Sequence, residues 1–193
     1  MRLSRRHLSA LFVGCAALLA SYRAVADEPS VPPRLQADLS AKVIDYVQTP
    51  SPRDNDVIRI GILTKAGDAD STHVGTELKA TLDKVDTIAG LPHEQVMMTW
   101  LSADRVAQES KERKLFALYV TPGLGPEMSA IARALDGVPL VTIAAVDAYV
   151  LDGAILSFEQ VSGHPRMVFN LTQARRQGVT FRSGVMRLMR IVE

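Results

Sequence analysis

"VIRIGILT", residues 57–64, decides the fold. It has strand length, it is rich in β-branched residues, and beyond Arg59 it is apolar without the alternation of a strand that wets one face. Such a run belongs in a sheet covered on both sides. The chain downstream of it repeats the theme. "TKAGDAD" reads as a loop, and Val74, Leu78, Leu82, Val85 and Ile88 mark a long helix closed by Gly90 as its C′ residue, with Pro92 beyond. "QVMMTWL" (95–101) reads as a second strand, and Ser102 is placed to cap a helix over 103–113 with its hydroxyl. "LFALYVT" (115–121) is a third strand. The next helix opens at Pro126, where a missing N–H costs nothing, and closes at Gly137, with Met128, Ile131, Ala132 and Leu135 turned inward. "VPLVTIAAV" (138–146) is a fourth strand.

Four apolar strands alternating with helices predict a largely parallel sheet joined by right-handed crossovers. The rhythm then breaks. "GAILSFEQV" and "HPRMVFNL" flank "SG" (162–163), the pattern of a β-hairpin with a glycine-containing turn. A last helix is expected from about Ser183, burying Val185, Leu188, Met189 and Val192 and leaving Arg187 and Arg190 to water. Upstream, Leu35, Leu39, Val43 and Val47, with Ile44 beside them, recur as one helix face that Pro50 and Pro52 end. The fold class is therefore α/β: a single three-layer α/β/α domain, Rossmann-like, with a mostly parallel sheet, a C-terminal β-hairpin and a terminal helix.

The N-terminus sets the compartment. Residues 1–26 have a basic start, an apolar run from Leu8 to Ala20 and an Ala24-Val25-Ala26 end, the pattern of a signal peptide cleaved after Ala26. Ser4-Arg5-Arg6-His7-Leu8 resembles a twin-arginine signal, so Sec and Tat export both stay open. Residues 27–34, "DEPSVPPR", are polar and proline-rich and read as a disordered or extended lead-in, with 35–193 as the folded domain. Cleavage removes Cys15, the sole cysteine, and four of the 22 basic residues, leaving 18 against 21 acidic and a net charge of −3. That balance excludes a general nucleic-acid binder, and the mature chain has no thiol chemistry.

Catalytic signatures are missing: there is no G-x-S-x-G, P-loop, H-E-x-x-H or C-x-x-C. His73, His93 and His164 lie far apart, so neither a metal nor a cofactor is expected. In a sheet of this kind small ligands sit beyond the C-terminal strand ends. The candidates there are Thr64 and Lys65, Thr121 and Gly123, and Asp147, where the glycine-containing loop runs into a helix N-terminus suited to an anion. "NLTQARRQGVT" (170–180) brings Arg175 and Arg176 together, with Arg182 close behind, as a candidate basic surface for an acidic partner. Read as structure instead, Asn170 caps a turn and Gly178 reverses the chain, a closure between hairpin and last helix.

From about Leu35 onward the chain resembles the YfiR family of periplasmic proteins. The match is carried by "GAILSFEQVSGHPRMVFNLTQARRQGVTFRSGVMRLMRIV", with Gly153, Asn170, Ala174, Gly178, Ser183 and Leu188 at the family's positions, and by "VIRIGIL", "LFALYVT" and "GVPLVTIAAVDAYVLDGA" in its strand positions. The resemblance implies a non-enzymatic regulator in the periplasm that binds a membrane signalling protein, the periplasmic portion of a diguanylate cyclase or a sensor kinase, and inhibits or tunes it. The alternative is a periplasmic small-molecule binder using the strand-end crevice. Relatives often carry disulfide-forming cysteines, which the mature chain lacks, and their aromatic N-terminal helix ending in Trp-Pro is here "LSAKVIDYVQTP". The sequence leaves a homodimer open.

Overall fold

The computed structural model describes residues 28–48 and 57–193; the expected leader over 1–26 and the helix stop expected at Pro50 and Pro52 lie outside them. Strands β1 (Ile58–Thr64), β2 (His93–Thr99), β3 (Ala117–Val120), β4 (Val141–Ala144), β5 (Leu156–Val161), β6 (His164–Asn170) and β7 (Met189–Val192) form one sheet in the order β2-β1-β3-β4-β5-β6-β7. Strands β1 to β5 are parallel to their neighbours, β5–β6 is antiparallel and β6–β7 parallel. The helices are α1 (Pro33–Ile44), α2 (Ala69–Leu82), α3 (Ala103–Glu112), α4 (Gly125–Ala134), α5 (Leu171–Arg176) and α6 (Ser183–Met186), with a 3₁₀ turn at Asp147–Val150.

Given this order, handedness places the helices. The chain steps outward from β1 to β2 through α2, then returns past β1 to β3 through α3, so right-handed crossovers put α2 and α3 on opposite faces. Accordingly α1 packs on α2, and α3 packs on α4. The direction reverses between β1 and β3, and the loops leaving those two strands part there to frame a crevice. The central strands β3 and β4 are buried throughout, as their unbroken apolar runs require.

Several elements match the sequence in detail. Ser102 Oγ accepts from Arg105 N–H at 3.2 Å, and Met128, Ile131, Ala132 and Leu135 are all buried. The hairpin turns on Ser162 (φ 50) and Gly163 (φ 82). Positive φ at both central residues is the two-residue turn whose twist matches the strands it joins.

Others need correction. The second helix stops at Leu82, not near Ile88; Ala89 (φ 51) and Gly90 (φ 72) instead close a tight turn bridged by Ile88 and Leu91. Residues 28–34, read as a disordered or extended lead-in, lie against the body: Val31 is buried, Ser30 Oγ donates to Phe158 O at 3.4 Å, and α1 already starts at Pro33. The buried side of α1 is Gln36, Ala37, Ser40, Ala41 and Ile44 with Val43, whereas Leu35 is exposed and Leu39 only half-buried. Small residues let α1 sit close, and Gln36 fixes it: its Nε2 donates to Val31 O (2.8 Å) and Ala145 O (2.9 Å), and its Oε1 accepts from Tyr119 Oη at 2.6 Å.

The terminal helix is the largest departure. Helix α6 has four residues, and the chain then extends as β7, pairing Met167 with Met189 through Asn170 with Val192. Leu188, expected inward, is 68% exposed. So short a helix is poorly nucleated, while Ile191 and Val192 suit a strand and the open edge of β6 offers them a ladder.

Candidate functional site

The crevice at the reversal between β1 and β3 holds four of the residues singled out in the sequence. Thr64 ends β1, its Oγ1 donating to Met98 O at 3.1 Å. Lys65 N–H donates to Ser71 Oγ (2.8 Å), and Lys65 Nζ donates to Gly123 O (2.7 Å) and meets Glu127 Oε1 at 3.1 Å. Thr121 is fully buried; its Oγ1 donates to Leu63 O (2.7 Å) and lies 2.6 Å from Ser71 Oγ. Gly123 has φ 83, and a Cβ there would collide with Asp68 Oδ2, so both backbone and space demand glycine. Asp68 itself caps α2, Oδ1 accepting from Ser71 N–H at 2.8 Å.

These groups fasten the β1 and β3 loops to one another. The anion-seeking end of α4 is met from inside: Leu124 N–H donates to Tyr149 Oη at 3.1 Å, and Glu127 stands in the first turn. Outside this latch lies a cleft of about 600 Å³ lined by Glu28, Ser30, Asp68, Asp70, His73 and Glu77 among others. Its carboxylates oppose the anion expected there, and Glu77 is already engaged, its Oε1 accepting from Arg34 Nε at 2.7 Å.

Asp147 is not part of the crevice. It opens the 3₁₀ turn and faces the charge of Arg190, which belongs to a separate cluster on β5, β6 and β7. There Glu159 accepts from Arg190 Nε (2.9 Å) and Nη2 (3.0 Å) and from Arg166 Nε (2.6 Å). The Arg190 hydrogen bonds, with Arg166 adding to them, hold the Glu159 carboxyl below the usual glutamate range, and Glu159 in turn raises Arg190. Tyr119, wholly buried, has its phenol pushed far above its ordinary value by desolvation, so it serves as a donor to Gln36 and not as an acid.

The arginines are dispersed as well. Arg175 and Arg176 stand exposed in the last turn of α5, which Asn170 caps by accepting from Gln173 N–H at 2.8 Å while its Nδ2 donates to Val150 O. Arg182 lies elsewhere, its N–H on Tyr46 O at 2.9 Å. The stretch 170–180 is thus built as a closure, with Gly178 at φ 66.

Sequence reasoning missed an apolar groove between α1 and the C-terminal segment. Leu39, Val43, Tyr46, Met167, Val185 and Leu188 line about 290 Å³, with Lys42 at its edge. Tyr46 and Leu188 are 42% and 68% exposed. The available signal was the Leu35-Leu39 spacing, which marks an apolar face of α1 but cannot say that the sheet lies against the neighbouring face.

Among the described residues no group of His, Cys, Asp and Glu is arranged to hold a metal, and no helix is long and apolar enough to cross a membrane. The sequence model of the YfiR/HmsC-like family matches residues 33–190. Among solved structures the fold is similar to that of a conserved domain protein from Vibrio cholerae O1 biovar El Tor (18% identity, TM-score 0.58, covering 84% of this chain and 60% of that one). It is similar too to the ABC domain in complex with L-Trp from Streptococcus pneumonia (17% identity, TM-score 0.56, covering 84% and 62%). At such identities the likeness is one of fold, and the match spans about three fifths of those chains. No curated protein matches the sequence.

Proposed function

The chain belongs to the YfiR/HmsC-like family, and from that premise we propose that it is a non-enzymatic periplasmic regulator, exported by a leader cleaved after Ala26, that docks on a membrane-bound signalling protein, with a diguanylate cyclase as first candidate. The apolar groove carries this reading. Side chains as large as Tyr46 and Leu188 standing in water around a pocket favour a protein partner that covers them. Lys42 at the groove, and Arg187 next to Leu188 in the chain, suit an amphipathic partner segment with an acidic margin. Of the three arginines expected to bind a partner, Arg182 adjoins the groove through Tyr46, while Arg175 and Arg176 stand on α5. Regulation needs only that the groove prefer one state of the partner.

Full burial of a leucine is worth about 1.5–3 kcal/mol, and about 1.4 kcal/mol is tenfold in affinity. Leu188→Asp should therefore weaken capture of the membrane partner at least tenfold and raise cellular cyclic-di-GMP, without lowering the melting temperature. Arg175→Glu with Arg176→Glu should leave capture unchanged. Undiminished capture by Leu188→Asp removes the groove from the interface, and no capture by the unmodified chain removes the function.

The second reading, a small-molecule binder, rests on the cleft of about 600 Å³ beside Asp68 and Gly123. A ligand using Lys65 must first draw it from Gly123 O and Glu127.

A further inference from the structure

Gly153 and Asn170, two positions marked in the sequence, line neither the crevice nor the groove. Both line a third cavity, of about 330 Å³, where the end of α4, the 151–153 loop and α5 converge. Gly153 lets the loop and the helix meet: its φ is 111, and a Cβ there would collide with the Ala132 Cβ. Helix α5 is tied to the same place, Gln173 Nε2 donating to Ala132 O at 3.2 Å and Gly137 N–H to Arg176 O at 2.8 Å. Gln173 is itself buried and donates also to Gln177 Oε1 at 3.2 Å, while Gln177 Nε2 donates to Leu140 O at 2.9 Å. These bonds run from the cavity wall into the core, so the wall is held before any ligand arrives.

Two arginines line this cavity, Arg133 in the last turn of α4 and Arg176 in the last turn of α5. The helix dipoles favour a cation at each of those turns. Neither guanidinium, however, has an ion pair or a side-chain hydrogen bond among the described residues. Asp152 and Glu193 line the same cavity and pair with neither. Two unpaired guanidinium groups beside a fixed wall supply the forked donors that suit the several oxygens of a phosphate group. The two carboxylates balance their charge, so a bare anion gains less here than a ligand that also brings a donor for a carboxylate.

We propose that this cavity binds a small phosphomonoester whose carbon part carries hydroxyl groups, the phosphate held between Arg133 and Arg176 and a hydroxyl donating to Asp152. The phosphate draws on both guanidinium groups at once, and the hydroxyl tells the ester from inorganic phosphate. Helix α4 packs on α3, on the face of the sheet opposite α1, so the cavity is separate from the groove. This inference does not depend on the regulatory reading.

Calorimetric titration of the purified chain at low salt should show saturable binding of glycerol 3-phosphate, weaker binding of inorganic phosphate and none of glycerol. Arg133→Gln and Arg176→Gln, both at exposed positions, should each weaken the ester roughly tenfold, with the circular dichroism and the melting temperature in plain buffer unchanged. Arg175→Gln, next to Arg176 on α5 but outside the cavity lining, should leave binding intact. Asp152→Ala should bring glycerol 3-phosphate down to the affinity of inorganic phosphate. Absence of saturable binding at millimolar ester overturns the proposal, and so does equal affinity of the parent for the two phosphates. A loss as large with Arg175→Gln as with Arg176→Gln overturns it too, as does a preference for the ester that Asp152→Ala leaves intact.

Discussion

Lys65 is where two accounts of the crevice part company. As a latch, its ammonium satisfies Gly123 O and Glu127 and ties the β1 loop to the β3 loop. As a ligand group, it would be kept for a guest. A hydrogen bond from a charged donor is worth about 1.5–3 kcal/mol when buried, and the partial exposure of this one reduces that to about 1 kcal/mol. Lys65→Ala should therefore lower the melting temperature by a few degrees in plain buffer, as followed by calorimetry. Gly123→Ala should cost more, about 2 kcal/mol or above, since it adds positive-φ strain to a collision with the Asp68 carboxylate. A Lys65→Ala protein as stable as its parent, but deaf to a small cation or anion that stabilises the parent, would hand the crevice to a ligand. The sequence located Thr64, Lys65, Thr121 and Gly123 because the apolar runs mark the C-terminal strand ends, beyond which such sheets place their crevices. It could not show that Asp68 and Glu127 fill the space between them, since that depends on side chains from two helices converging.

Strands were the legible elements, for a chemical reason. Buried parallel strands must be apolar on both faces, so β1, β3 and β4 announce themselves, and the hairpin is announced by Ser162-Gly163. Helix ends were less legible: Val85 and Ile88 continue the period of α2 by coincidence, although their apolar character comes from packing under a turn. The C-terminal segment misled for the same reason, since Val185, Leu188, Met189 and Val192 fit a helical spacing while the ladder of β6 drew the last four residues of that run into β7. The β5, β6 and β7 elements are further joined by Glu159, whose carboxyl is ionised at lower pH in the fold than when free, through Arg190 first and Arg166 second. A depressed folded value stabilises the fold fully above the unfolded glutamate range and loses that contribution as pH falls through the folded value. Glu159→Gln should thus lower the melting temperature at neutral pH by an amount equivalent to about 1 kcal/mol or less. The gap to the parent should close as the solution is acidified below about pH 4. A gap independent of pH would assign the loss to packing instead.

On the scale of the molecule, the sheet is a ribbon with one finished end and one unfinished end. The latch closes the crevice between β1 and β3, Gln36 and Tyr119 bolt α1 across the strands, and β7 covers the edge of β6. Ending the chain after Arg187 would remove β7 and uncover β6 from Met167 to Asn170, including the peptide groups that now pair with Met189 through Val192. A molecule with two open edges has no closed assembly to stop at, so strand addition becomes head-to-tail and open-ended. The shortened chain should melt several degrees lower than the full chain. Light scattering should show masses rising with concentration, and Met97→Lys on the other edge strand of the same chain should limit that growth. A shortened chain that keeps both the parent's melting temperature and its mass would mean that the residues after Arg187 contribute neither a strand nor a guard.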